Sequence, residues 1–229
     1  MRQTGKGKTV YLAFANEYAT PPAAAPDIAP VFKRVLDAVG FPEPEVKVQD
    51  ADGKQVLCQV LRHRRGDGKP LFFGLLRRDG LAADGKPCKV TLPGEFHIYD
   101  LLKGGLVASG PSFEFNPIPG IGNLYAALPY EVKRLDLSCP ETAAAGGQLH
   151  YGLEVVATGA KPGYHVFRLE VLNPEGKEEK CYTANLEAPD GSCKGALDLA
   201  LNALPGKWTL KARDVLTGAK AQRTFEVGE

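Results

Sequence analysis

The sequence predicts a mostly β protein: two consecutive β-sandwich domains of immunoglobulin-like type behind a short strand-helix segment. Three observations carry this. Glycine and proline number 26 and 18 in 229 residues, about a fifth of the chain where roughly 12% is usual, and they follow no fixed period. From about position 44 onward apolar and polar residues alternate, the period of a strand with one covered face. Turn sequences then recur at short intervals to the end of the chain, which is the rhythm of a sandwich.

The first segment, residues 1–43, opens with the β-type run Val10 to Ala15 and a Pro/Ala-rich connection, Pro21 to Pro26. A helix follows. Asp27 is placed to cap it, Pro30 sits in its first turn, Val31, Val35, Leu36 and Val39 share one face, and Gly40 with Pro42 stops it. One strand and one helix cover too little apolar surface to fold alone, so this segment is expected to be a remnant or a packing arm.

Residues 44–125 form the first predicted sandwich. Val46 and Val48 alternate with Lys47 and Gln49; Cys58 and Val60 alternate with Gln59 and Leu61; Phe96 and Ile98 alternate with His97 and Tyr99. Leu71 to Leu76 is apolar on both faces and short, as suits a central strand. Asp52-Gly53, Asp79-Gly80, Asp84-Gly85 and Lys103-Gly104-Gly105 supply the reversals. Residues 126–229 form the second. Leu149, Tyr151, Leu153 and Val155 mark one strand face, His165, Phe167, Leu169 and Val171 another, and Trp208, Leu210 and Ala212 a third. An immunoglobulin domain proper places its tryptophan between two cysteines, whereas Trp208 follows all five here.

Composition excludes several function classes. Lys and Arg total 28 against 27 Asp and Glu, a formal charge of +1, which gives no footprint for nucleic acid. No apolar run approaches the roughly 18 residues of a membrane-spanning helix, and no hydrophobic signal core follows the basic start; the compartment is left open. Cys58, Cys88, Cys139, Cys181 and Cys193 contain no Cys-x-x-Cys, so no metal or cofactor site is signalled. Cys181 and Cys193 flank the turn Pro189-Asp190-Gly191 and would face each other if that turn closed a hairpin.

Catalytic constellations are equally thin. Gly7-Lys8-Thr9 imitates a phosphate loop, but the motif needs a glycine where Arg2 stands and a helix where a β-type run follows. Arg62-His63-Arg64-Arg65 with Arg77-Arg78 is the densest basic patch; on a hairpin edge such charges protect against stray strand pairing. His97 and Asp100 lie three apart in one strand and so point to opposite faces. Asp214, just before Thr217-Gly218, is expected to hold turn backbone.

The opening Gly5 to Phe14, followed by Tyr18 and a helix, resembles the last strand and helix of the trimerisation domain of β-galactosidases. Leu71 to Leu76 and Phe96 to Gly105 are similar to the small β domain that follows it in such enzymes. Leu128 to Val132, His165-Val166, Asn173 to Lys177 and Gly206 to Gly218 resemble an immunoglobulin-like tail. The resemblance implies a C-terminal region whose catalytic glutamates lie in a barrel upstream, so no catalytic residue is carried onto this chain. Its only methionine, Met1, fits a fragment with an introduced or internal start. The implied role is non-catalytic packing or assembly against an upstream catalytic domain or another protein surface. The competing reading is a carbohydrate-binding module for neutral glycan, with Tyr125, Tyr130, Tyr164 and Tyr182, each beside a turn or junction, as sugar-stacking candidates.

Overall fold

The structure is a computed structural model that describes residues 2–4, 7–9, 29–42, 44–56, 58–64, 70–77, 87–118 and 120–228. It divides into two compact units, Met1–Glu45 and Val46–Glu229.

In the first unit β1 (Arg2–Thr4) pairs antiparallel with β2 (Gly7–Thr9), and α1 spans Ala29–Val39. The phosphate-loop look-alike Gly7-Lys8-Thr9 is thus strand. The helix has the predicted C-terminus: Gly40 takes φ 69°, and Phe41 N–H donates to Leu36 O at 2.9 Å, a glycine cap that L side chains resist. The strand expected over Val10 to Ala15 and the cap expected at Asp27 lie outside the described residues. No helix among the described residues is long and apolar enough to cross a membrane.

The second unit begins with a six-stranded antiparallel sheet: β3 (Lys47–Gln49), β4 (Cys58–Arg64), β5 (Leu71–Arg77), β6 (Cys88–Asp100), β7 (Leu106–Phe115) and β8 (Gly122–Leu128). One strand makes this single sheet into a sandwich. β6 pairs with β7 along both its halves, but its register breaks between Thr91 and Phe96, across Leu92-Pro93-Gly94-Glu95. Proline cannot donate to a ladder and is tolerated in strands at such bulges. The first half of β6 pairs with β3, and the second half pairs with β8. Val48, Val90, Phe113 and Phe115 from one layer therefore meet Leu71, Phe73, Leu75, Tyr125 and Ala127 from the other in a shared core. β4 is an edge strand, so Arg62 and His63 stand where charge deters pairing.

β8 runs on to Leu128, and Pro129 separates it from the next strand, which begins at Tyr130. Beyond it, β9 (Tyr130–Ser138), β11 (Gln148–Gly159) and β14 (Ser192–Asp198) form a three-stranded sheet in the order β14-β11-β9. A five-stranded sheet in the order β10-β16-β15-β12-β13 faces it, built from β10 (Thr142–Ala144), β12 (His165–Leu172), β13 (Ala184–Ala188), β15 (Gly206–Asp214) and β16 (Lys220–Gly228). Strict alternation places Phe167, Leu169, Val171, Leu210 and Phe225 against Leu149, Leu153 and Val155, as the period-two reading requires. Trp208 stacks on Phe225 and donates its indole N–H to Leu204 O at 2.8 Å.

Pro189-Asp190-Gly191 does not close a hairpin, because β13 pairs with β12 while β14 pairs with β11. The chain switches sheets at that turn, so Cys181 and Cys193 do not face each other, and both are free thiols.

The two modules meet through two hairpin turns of the same design. In Asp100 to Gly105 and in Asp214 to Ala219, the aspartate accepts backbone N–H bonds from its own turn, at Leu102 and Lys103 and at Leu216 respectively. Gly104 and Gly218 each donate to the aspartate carbonyl at 2.9 Å, both with φ 76°. The turns touch glycine to glycine: a Cβ on Gly218 would lie 2.9 Å from Gly104 Cα. Gly105 N–H donates across the contact to Thr217 O at 2.8 Å.

This close approach yields a comparison. Gly176, with φ 78° and nothing within 4 Å of its would-be Cβ, shares the backbone strain without the contact. Gly176→Ala is expected to cost about 1 kcal/mol from conformation alone. Gly218→Ala should cost a further 1–3 kcal/mol for the overpacking. Urea unfolding of both variants measures the difference, and equal costs would show that the turn–turn contact is not tight.

Candidate functional site

The predicted stacking tyrosines are dispersed and, for the most part, covered. Tyr125 is 6% exposed; its ring lies 5.4 Å from that of Phe73 and 4.9 Å from that of Phe113. Burial first, and the nearby Asp100 charge second, push its phenol up to about 12. Tyr130 is 1% exposed. Tyr182 sets its edge against Trp208, and its hydroxyl accepts the Ala200 N–H at 2.9 Å. Tyr164 is half-buried. A sugar ring needs an open aromatic face, which Tyr125 and Tyr130 lack, while Tyr164 and Tyr182 are partly exposed. The period-two pattern could not reveal this, because each tyrosine sits beside a turn whose partner strand the sequence does not name.

His97 and Asp100 also go separate ways. His97 Nδ1 lies 2.8 Å from Ser109 Oγ, while Asp100 is consumed by its turn. His63 rests against Phe72, and His150 is exposed. Among the described residues no group of three or more His, Cys, Asp or Glu is placed to hold a metal ion.

The structure assembles instead a polar chain that the sequence did not announce. Tyr130 begins β9, His165 begins β12, Asp214 ends β15 and Thr217 lies in the following turn. Asp214 Oδ1 is 3.0 Å from His165 Nδ1, with both side chains fully buried. Thr217 Oγ1 donates to Asp214 Oδ2. His165 Nε2 is 2.9 Å from Tyr130 Oη, which in turn accepts the Gly163 N–H at 3.0 Å. With Oη taking that N–H, the phenol hydrogen is directed to Nε2, and the histidine carries its own proton on Nδ1 toward the carboxylate. That assignment follows from the bonding pattern.

A histidine oriented by an aspartate is the base half of a nucleophilic triad. Here the third position is a phenol whose hydroxyl is already bonded, inside a core formed with Phe167, Tyr99, Leu128 and Ala126. No substrate atom reaches Nε2. Tyr99 extends the arrangement, its hydroxyl accepting the Val132 N–H at 2.8 Å. Its pKa is raised chiefly by burial, against the lowering effect of that N–H, with Glu131 and Asp214 raising it further. The chain joins two sheets and a turn and makes the junction rigid.

No protein-family model and no curated protein matches the chain. Among solved structures, a superoxide reductase (neelaredoxin) from Ignicoccus hospitalis is similar over 42% of this chain and 81% of its own, at 14% identity and TM-score 0.30. A glycosyl hydrolase family 2 member from Bacteroides cellulosilyticus matches 69% of this chain and 28% of its own, at 10% identity and TM-score 0.31. A β-glucuronidase from Bacteroides uniformis matches 79% and 31%, at 12% identity and TM-score 0.30. The matched region is thus less than a third of the length of these two hydrolases. At these scores the likenesses carry no functional argument.

The buried chain and Tyr125 each generate a measurement. Asp214→Ala strands the His165 N–H and the Thr217 hydroxyl, and at about 1–3 kcal/mol for each buried donor left unsatisfied it should cost about 2–6 kcal/mol in denaturant unfolding. Tyr130→Phe, which strands Nε2 and the Gly163 N–H, should cost about 1–3 kcal/mol. A loss below about 1 kcal/mol for Asp214→Ala would show the chain to be dispensable. For Tyr125 the folded-state pKa, about 12, lies above the unfolded value near 10. The folded state therefore holds the proton longer, and the stability it contributes below pH 10 is lost as pH rises from about 10 through 12. Alkaline absorbance titration should show a late-ionising phenol that Tyr125→Phe removes.

Proposed function

We propose that this chain is a non-catalytic accessory region of a β-galactosidase-like carbohydrate-active protein, acting by packing against another protein surface. One observation carries the packing role. The outer face of β4, β5 and β8 holds Leu61, Gly74 and Leu124 in a single cross-strand row. Leu61 and Leu124 are 57% and 43% exposed, and Ile121 beside them is 51% exposed. Contiguous apolar surface of this kind, rather than scattered single residues, marks an interaction face. Gly74, in the middle of the row, leaves room that the leucines take up: a Cβ there would meet Leu124 Cδ2 at 3.1 Å and Leu61 Cβ at 3.6 Å.

The interior fits the same reading. His165 and Asp214, which have the chemistry of a base and its orienting carboxylate, are spent on holding sheets together. A rigid two-module body presenting an apolar face suits a spacer or assembly element. The β-galactosidase connection rests on the sequence resemblance, and the partner it suggests is a catalytic domain.

Two measurements test this. The purified chain should not turn over aryl β-galactosides or β-glucuronides above the spontaneous rate, and enzymatic release of the aryl group would overturn the non-catalytic reading. A glycosidase barrel encoded in frame or adjacent upstream should, when produced separately, co-purify with the chain. Leu61→Lys with Leu124→Lys should abolish that association while leaving the unfolding midpoint within a few degrees.

A further inference from the structure

The module junction carries a second feature. Beside the touching turns lies a cavity of about 500 Å³, within the range of small-molecule sites. Tyr99, Gly104 and Gly218 contribute to its lining, together with Lys103 from the first module and Arg213 and Lys220 from the second. Arg213 and Lys220 are direct cross-strand partners on β15 and β16, and Arg168 is the partner of Arg213 on its other side. Three cations in one row across three strands is an arrangement that sheets avoid, because like charges directly opposite repel.

Neutralisation from within is missing. Among the described residues the side chains of Lys103, Arg213 and Lys220 are exposed and have no hydrogen-bond or ion-pair partner. Arg168 has Glu170 at 3.9 Å. Glu131, which supplies the one carboxylate of the cavity wall, is already paired with Lys133 at 2.6 Å. Three unneutralised cations thus converge on a concave space from two modules whose relative position is fixed by the glycine contact and the Gly105–Thr217 bond.

We propose that this cavity is a binding site for a small ligand bearing two or more carboxylate or sulfate groups, held by Lys103, Arg213 and Lys220. Repulsion along the row is then relieved on binding, and charge-assisted bonds to oxyanions supply the attraction. Concavity favours a small ligand over a flat acidic protein face, since Lys103 lines the cavity from one module and Arg213 with Lys220 from the other. The site is independent of the apolar face on β4, β5 and β8.

Isothermal titration of the whole chain tests this with four probes: inorganic sulfate, citrate, a sulfated uronate disaccharide and an acidic peptide. Citrate, the disaccharide or both should bind with Kd below about 1 mM and more weakly as salt rises. Arg213→Gln with Lys220→Gln should weaken binding at least tenfold, and Lys103→Gln, from the other module, should weaken it separately. Lys194→Gln should leave it unchanged. Relief of the like-charge pair predicts that the double variant melts no lower than the parent chain. Binding by citrate alone identifies a free polyacid as the ligand, and binding by the disaccharide alone an acidic saccharide. Binding of sulfate only, at tens of millimolar or above, would mean an adventitious ion only and overturn the proposal. So would binding of the acidic peptide alone, or binding indifferent to all three substitutions.

Discussion

Asp214 is the group on which the later sandwich and its junction with the first module depend. A carboxylate with no exposed surface is tolerable only if neighbours replace the water it has lost. Each replacement fixes a different part of the fold. The Leu216 N–H and the Thr217 hydroxyl shape the turn; His165 ties β15 to β12 from the side-chain layer; Tyr130, through that histidine, ties both to β9 in the opposite sheet. Because the turn is shaped in this way, Gly218 faces outward at the one place where Gly104 can approach it. The geometry of the module junction is therefore set from inside the second sandwich, by a single buried charge.

The two modules solve the same local problems with the same residues. Asp50 to Lys54 and Asn173 to Lys177 are matching reversals: the first side chain accepts the N–H groups two and four residues on, and a glycine donates back to its carbonyl. Asp100 to Gly105 and Asp214 to Ala219 form the second matching pair. The strand neighbours β3-β6-β7 recur as β12-β15-β16. What separates the modules is the bulge at Leu92 to Glu95, which bends one sheet over itself, whereas the later module builds its second layer from separate strands. Stiffness follows in both cases, because each turn is closed by side-chain bonds as well as by its ladder.

Much of this was legible in the sequence, and the limit has a physical cause. Alternation identifies which residues face inward, so Val46 and Val48, or Phe167, Leu169 and Val171, follow from period alone, whereas the run Leu71 to Leu76, apolar on both faces, does not show which side is covered. Glycines after Asp or Asn marked the reversals. Alternation says nothing about which strand lies alongside. The turn at Pro189 to Gly191 reads like a hairpin yet passes the chain between sheets. Tyr130, His165 and Asp214, separated by 35 and 49 residues along the chain, gave no spacing signal. His165 did stand at the head of an inward-facing apolar row, and a histidine there must find polar partners inside; that was the available clue. The covering of Tyr125 and Tyr130 was hidden for the same reason, since proximity to a turn does not tell whether a neighbouring strand covers the ring.

Net charge misled in a related way. A formal +1 reads as a surface without electrostatic preference, but a sum over the chain hides where charges stand. On β12, β15 and β16 register aligns Arg168, Arg213 and Lys220, which lie in three different stretches of sequence. Several acidic residues are bound to close neighbours: Glu131 pairs with Lys133, Asp136 with Arg134, and Asp100 and Asp214 accept hydrogen bonds within their own turns. A near-neutral β protein can thus hold a row of like charges, because strand register and not the sum over the chain decides which side chains stand side by side.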